Sequence, residues 1–269
     1  MHIYLVTFFI YLQTMDEIIT YELPLNERIR TFMRLEHLFG QASYTLRGYS
    51  TWDSRATLSS LVNILELLAR SDFKTELLKE LEYLHNSLSA LCNIPGVDLE
   101  QLTTILDQLS ESLSSLHQAD GQLGLSLRNT EVISTLLQRN TVIGGSCKFD
   151  LPAYHFWLQQ PAESRIKKIE DWYAELNLVN RPIALILGIL RESANPSQQS
   201  AETGFYQQSL DSNIETKLIR VSINSQLPYF AELSGGKHRF TVRFLEPRES
   251  GRPMQTNDNV TFQLNCCSL

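Results

Sequence analysis

From Asn26 to about Leu190, apolar residues recur at spacings of three and four, the period of helices with one buried face. Asn26 is a suitable N-cap for a first helix in which Ile29, Phe32, Met33, Leu35, Leu38 and Phe39 form one stripe, leaving Arg28, Arg30 and Arg34 for the wetter face. A second helix is predicted over about residues 54–70, with Leu58, Leu61, Val62, Leu65 and Leu68 on its apolar side. Asp72 is placed to cap a third, residues 73–91, in which Leu77, Leu81, Leu84, Leu88 and Leu91 alternate gaps of four and three as a heptad seam. Ile94-Pro95-Gly96-Val97 breaks the chain. Asp98 caps again, and Leu102, Leu106, Leu109, Leu113 and Leu116 repeat the seam. Two matched seams across a Pro-Gly turn predict an antiparallel hairpin about 30 Å long, at 1.5 Å per residue. Packing within the chain is the first reading of that stripe, and self-association through it is the second.

A shorter helix is predicted over 130–139, and the helical period stops at Gly144-Gly145. Pro161 opens another helix, with Ile166, Ile169, Trp172, Tyr173 and Leu176. Asn180 and Pro182 then start a segment, residues 183–190, that is apolar on every face and is expected at the centre of its domain. Residues 194–200, Ala-Asn-Pro-Ser-Gln-Gln-Ser, form a polar linker. Beyond it the period changes to two: residues 218–223 alternate, 227–233 are strand-like, Ser234-Gly235-Gly236 is a hairpin turn, 237–244 alternate again and 260–264 supply a last strand. The pattern is that of an α+β chain. A mainly helical domain is expected over 15–198 and an antiparallel β domain over 199–269, with a short strand at 18–22 expected to join the edge of its sheet.

The chain has 269 residues, 43% apolar and 20% charged, with four cysteines and a formal net charge of −7. It is long enough to bury a core without disulfide staples, and Cys92, Cys147, Cys266 and Cys267 show no paired spacing, so reduced thiols in the cytoplasm are expected. A net acidic chain does not suit general duplex-DNA binding, which needs a basic surface. The apolar run at residues 3–12 is half a membrane span and lacks a signal peptide's basic start and small-residue cleavage site. Met15 is therefore expected to be the initiator, residues 1–14 an upstream extension, and no membrane insertion follows.

Strand geometry produces the most informative constellation. In residues 237–244, Phe240, Val242 and Phe244 face a core while Lys237, Arg239 and Arg243 share the outer face; in 218–223, Arg220 is outward. Between Lys217 and Arg243 there are five Lys and Arg against one acid, Glu232. This describes an anion-recognising face on an acidic protein, or equally a solvated strand whose cations discourage edge pairing.

Enzymatic motifs are scarce: there is no phosphate-binding glycine loop, no H-E-x-x-H and no G-x-S-x-G. Cys147, Asp150 and His155 fall within nine positions, yet with no orienting partner or oxyanion signal they read as a structural thiol and a satisfied histidine. No catalytic residue, metal site or cofactor is expected. Cys266 and Cys267 are adjacent rather than spaced for zinc, and read as buried thiols.

Residues 22–36 (ELPLNERIRTFMRLE), 74–81 (KTELLKEL), 95–98 (PGVD), 144–152 (GGSCKFDLP), 204–207 (GFYQ), 237–244 (KHRFTVRF) and 262–267 (FQLNCC) resemble, in that order, the ZapD family of bacterial cell-division proteins. The resemblance runs from about residue 18 to 267. It is poor at 197–214, in the middle of the long hairpin and at 249–258, and residues 1–14 have no counterpart.

What the resemblance implies is a non-enzymatic, cytoplasmic homodimer at the mid-cell division site that binds the C-terminal tail of the tubulin-like GTPase FtsZ and bundles its filaments into the Z-ring. The family's basic pocket for that tail corresponds here to Arg70, Arg239 and Arg243. Arg34 and His155 lie in matching motifs and are carried over as further partner-binding candidates, or as residues that order the helical domain or its dimer contact. The competing function for the same basic sheet is single-stranded nucleic-acid binding with Tyr229 or Phe230 as stacking groups, against which stand the acidic net charge and the lack of an RNP-like motif.

Overall fold

The computed structural model describes residues 18–70 and 72–268, so the expected start at Met15 and the extension at 1–14 lie outside the described residues. The chain is α+β and divides into two compact units: Arg30–Ile189, and the described residues up to Ile29 together with those from Leu190 onward.

The helical unit takes in most of α1 (Glu27–Thr45), followed by α2 (Thr51–Leu68), α3 (Phe73–Ser89), α4 (Leu99–Gln118), α5 (Leu125–Arg128), α6 (Glu131–Arg139), α7 (Pro152–Leu158), α8 (Ala162–Glu175) and most of α9 (Asn177–Glu192). The Asn26 side chain caps α1, accepting from the Ile29 N–H at 2.9 Å. α2 starts three residues earlier than the apolar stripe suggested, because Ser50 and Asp53 form a capping box. Asp98 caps α4 as expected, whereas Asp72 occupies the cap position of α3 without a side-chain bond. The hairpin of α3 and α4 buries Leu77, Leu81, Leu84, Leu102, Leu109 and Leu116; Leu88, Leu91, Leu106 and Leu113 are half-buried.

Helix α9 departs from the sequence reading. Pro182 lies inside it rather than at its start. Ile183, Ile186, Leu187 and Leu190 make one fully buried stripe, while Ala184 is exposed and Leu185 half-buried, so the helix is one-sided despite its composition. Arg165 of α8 is a buried cation of this unit. It is satisfied without a carboxylate by the Ser54 hydroxyl at 3.1 Å and by the carbonyls of Tyr49 at 2.9 Å, Leu158 at 3.3 Å and Gln160.

The β unit contains β1 (Ile18–Pro24), β2 (Ser197–Ala201), β3 (Phe205–Ser209), β4 (Thr216–Asn224), β5 (Phe230–Gly235), β6 (Arg239–Glu246), β7 (Met254–Gln255) and β8 (Val260–Ser268). They form two antiparallel sheets, in the orders β1-β4-β8-β2 and β3-β6-β5, with β7 pairing β6. A shared core of Ile219, Val221, Phe240, Val242, Phe244, Phe262 and Leu264 lies between them. The segment read as a linker thus contributes β2, and β3 and β7 had no counterpart in the sequence reading. β1 pairs β4, with Tyr21 opposite Val221. A register shift between Thr216 and Leu218 breaks the alternation of β4 and buries Lys217, Leu218 and Ile219 in succession. Gly204, at φ 70°, lets the backbone pass close to Thr256: a Cβ there would meet its carbonyl oxygen at 2.8 Å.

Candidate partner-binding face

Strand β6 alternates as its sequence requires. Phe240, Val242 and Phe244 are 0% exposed, and Arg239 and Arg243 project from the opposite face into water. Four residues apart, the two arginines are separated by about 13 Å along the strand. Register supplies their neighbours: Phe205 and Glu232 flank Arg243, Gln207 and Ser234 flank Thr241, and Ser209 lies opposite Arg239. Arg243 Nη1 stands 3.5 Å from Glu232 Oε2, and its Nε donates to Gln255 at 3.4 Å. At a solvent-exposed position so loose an ion pair contributes little and leaves the cation available. Arg239 has no ion pair among the described residues. Phe205, 41% exposed, adds an apolar surface beside Arg243.

The other expected cations are placed differently. Lys237 is exposed but lies in the β5–β6 hairpin loop, because Gly235 still belongs to β5 and β6 begins at Arg239. Arg220, on β4 of the other sheet, does not join this face: its Nε donates to Glu22 at 2.9 Å, beside Arg191, which holds the same carboxylate. Half-burial pushes the Glu22 pKa up, but hydrogen bonds and charge from Arg191 and Arg220 outweigh it and leave the carboxyl below its usual range. Lys217 is buried. The local excess of cations visible in the sequence is therefore split between two sheets, and the exposed part is Lys237, Arg239 and Arg243.

In the helical unit, Arg70 is exposed just beyond α2, with a long contact of 3.4 Å to the Thr31 hydroxyl. Arg34 is exposed on α1. His155 is half-buried on α7, and no hydrogen bond joins it to the exposed Cys147 among the described residues. The two stacking groups of the nucleic-acid alternative, Tyr229 and Phe230, are both half-buried. Tyr229 packs edge-on to Phe244 at 6.2 Å, and its phenol is pushed up by desolvation and by the negative charges of Asp258 and Glu246, an unsuitable setting for phosphates. All four cysteines are free; Cys267 is buried and Cys266 half-buried, whereas Cys92 and Cys147 are exposed. Among the described residues no group of His, Cys, Asp or Glu is arranged to hold a metal ion, and no single helix is long and apolar enough to cross a membrane.

Two comparisons bear on this arrangement. A family model described as ZapD, cell division protein, matches residues 33–243, a span that contains Arg34, Arg70, His155, Arg220, Lys237, Arg239 and Arg243. The chain belongs to the ZapD family. ZapD of Methylococcus capsulatus is 44% identical over 251 residues, covering 93% of this chain and 98% of its own. ZapD of Nitrosomonas eutropha is 34% identical over 251 residues, covering 93% and 100%, and that of Coxiella burnetii 34% over 253 residues, covering 93% and 98%. Each is named a cell division protein, and a role in cell division is the function the ZapD family carries.

Proposed function

We propose that this chain is a non-enzymatic cytoplasmic division factor that receives the C-terminal tail of FtsZ on the exposed face of β6 and, as a homodimer, crosslinks FtsZ filaments at mid-cell. The observation that carries the proposal is the pair Arg239 and Arg243 on one solvent-facing strand side, the first without an ion pair among the described residues and the second held only loosely by Glu232. Lys237, in the adjoining loop, adds to the same positive field. Arg70, which the family resemblance assigns to the tail, is exposed in the helical unit and awaits the same charge-reversal test. Arg34 and His155 remain secondary candidates there.

Weak single contacts suit this role. An exposed charge pair contributes about 0 to 1 kcal/mol and is screened by salt. Two sites on one dimer, each meeting one of many tails along a polymer, gain about a hundredfold or more in avidity. The test is co-sedimentation with FtsZ polymers that carry or lack their tail. Binding is expected only with the tail, and Arg239→Glu and Arg243→Glu are expected to abolish it at physiological salt. Unchanged co-sedimentation of both variants rules this face out.

A further inference from the structure

A cleft of about 410 Å³ in the helical unit, lined by α2, α6 and the loop at 144–146, falls in the size range of small-molecule sites. Its charged lining consists of Arg55 and Arg139 with no carboxylate, in a chain of net charge −7. Arg55 is held in place: its guanidinium carbon lies 5.5 Å from the Trp52 ring centroid and 5.1 Å from that of Tyr154, and Nη1 donates to the Ser146 carbonyl at 3.2 Å. Ser146 takes one N–H and no other acceptor meets the guanidinium among the described residues, so its remaining donors are left for a ligand.

Arg139 is exposed and has no ion pair among the described residues. Gly145 makes the approach possible. A Cβ there would lie 2.9 Å from the Arg139 carbonyl oxygen and from Val142 Cβ, so the loop turns tightly against the backbone at the end of α6, and Arg139 and Ser146 both line the cleft. Tyr154 adds no negative charge to that wall: its phenol is neutral at pH 7, as an ordinary tyrosine's is, and burial pushes it further up, to about 12. Trp52 lies under Arg55 on one face, yet at 75% exposure it leaves most of its ring in water at the mouth.

We propose that this cleft binds a small anion that carries a flat ring, of the mononucleotide class, with its phosphate between Arg55 and Arg139 and its ring on Trp52. Paired guanidinium groups match phosphate oxygens in a fork geometry, and an exposed indole stacks on planar rings without regard to base identity. The cleft shares no lining residue with the β6 face, and the proposal does not rest on the tail-binding reading.

Intrinsic fluorescence tests this on the full chain, with Trp52→Phe identifying the signal against Trp157 and Trp172. AMP, GMP, inorganic phosphate and benzoate are the probes. AMP and GMP are expected to quench Trp52 saturably, and phosphate to compete at higher concentration. Arg139→Gln, an exposed change that keeps the fold, is expected to weaken the nucleotides about tenfold or more. Arg55→Gln is expected to act in the same direction. Saturable binding of benzoate without either nucleotide would reassign the cleft to carboxylates and overturn the proposal. So would wild-type nucleotide affinity in Arg139→Gln, or no saturable response to AMP or GMP up to about 5 mM.

Discussion

Arg191 donates twice to Glu22, Nε to Oε1 and Nη2 to Oε2, each at 2.9 Å, and so ties the end of α9 to strand β1 across 169 positions of sequence. Arg220 donates to the same Oε1, so one carboxylate with 16% of its side chain exposed serves two guanidinium groups. Bidentate, charge-assisted geometry of this kind is among the stronger polar contacts in a protein.

Glu22→Gln is expected to destabilise the β unit by about 2 kcal/mol at pH 7, since it removes charged hydrogen bonds and leaves two cations side by side. The pH dependence follows from the lowered pKa of Glu22. A carboxyl whose folded pKa lies below its unfolded value stabilises fully above the unfolded pKa, near 4.3, and loses that contribution as pH falls through the folded one. Urea midpoints should therefore converge for wild type and variant as the solution is acidified, and an equal midpoint at pH 7 would refute the role.

The two sides of β6 should respond oppositely. Phe240→Ala opens a cavity at a position with 0% exposure and is expected to cost about 3 to 5 kcal/mol. Arg239→Glu is expected to shift stability by no more than about 0.5 kcal/mol while tail binding is lost. Thermal melts alongside peptide binding separate the two.

Valence gives a third expectation. A verified monomeric variant should still bind an isolated FtsZ tail peptide, increasingly weakly as salt rises, yet fail to bundle filaments in light scattering. A folded monomer that bundles as well as wild type would mean that one chain carries two FtsZ sites.

Arg165→Met is expected to cost the helical unit about 3 kcal/mol. The side chain satisfies the carbonyls of Tyr49, Leu158 and Gln160, and its loss strands buried acceptors. Arg165→Lys should recover little, because one ammonium cannot span acceptors that a planar fork reaches together. Chemical denaturation of the two variants decides it.

Burial pushes the Cys267 thiol up to about 11 and raises that of Cys266 as well, whereas Cys92 and Cys147 are exposed. At pH 8 a thiol reagent should modify Cys92 and Cys147 in the native protein and reach Cys267 only on unfolding. Rapid native labelling of Cys267 would contradict its placement.

The helices were legible because burial on one side of a helix leaves a repeat of three and four, as in Leu77, Leu81 and Leu84. The outward direction of Arg239 and Arg243 was legible for the matching reason in a strand. Strand β2 was not: Ser197–Ala201 buries only Ala201 and owes its place to backbone pairing with β8, which no side-chain pattern records. Lys217 and Leu218 misled because a register shift suspends alternation. Pro182 reads as a helix start yet stands within α9, where packing of Ile183 and Ile186 prevails over local preference. The withdrawal of Arg220 from the candidate face depends on Glu22, a partner 198 positions away, a distance over which spacing carries no information.

The pairing of β1 with β4 also imposes a schedule on the nascent chain. About 190 residues separate Pro24 from Thr216, and at 5 to 20 residues per second the ribosome needs roughly 10 to 40 s to deliver the second strand after the first. Through that interval the backbone donors and acceptors that Ile18–Pro24 pairs with β4 in the folded chain have no strand to meet. Thr20 and Glu22, which alternate with its apolar positions, help keep it in water until β4 arrives. The β unit can thus close only late in synthesis, after the residues of the helical unit have already left the ribosome.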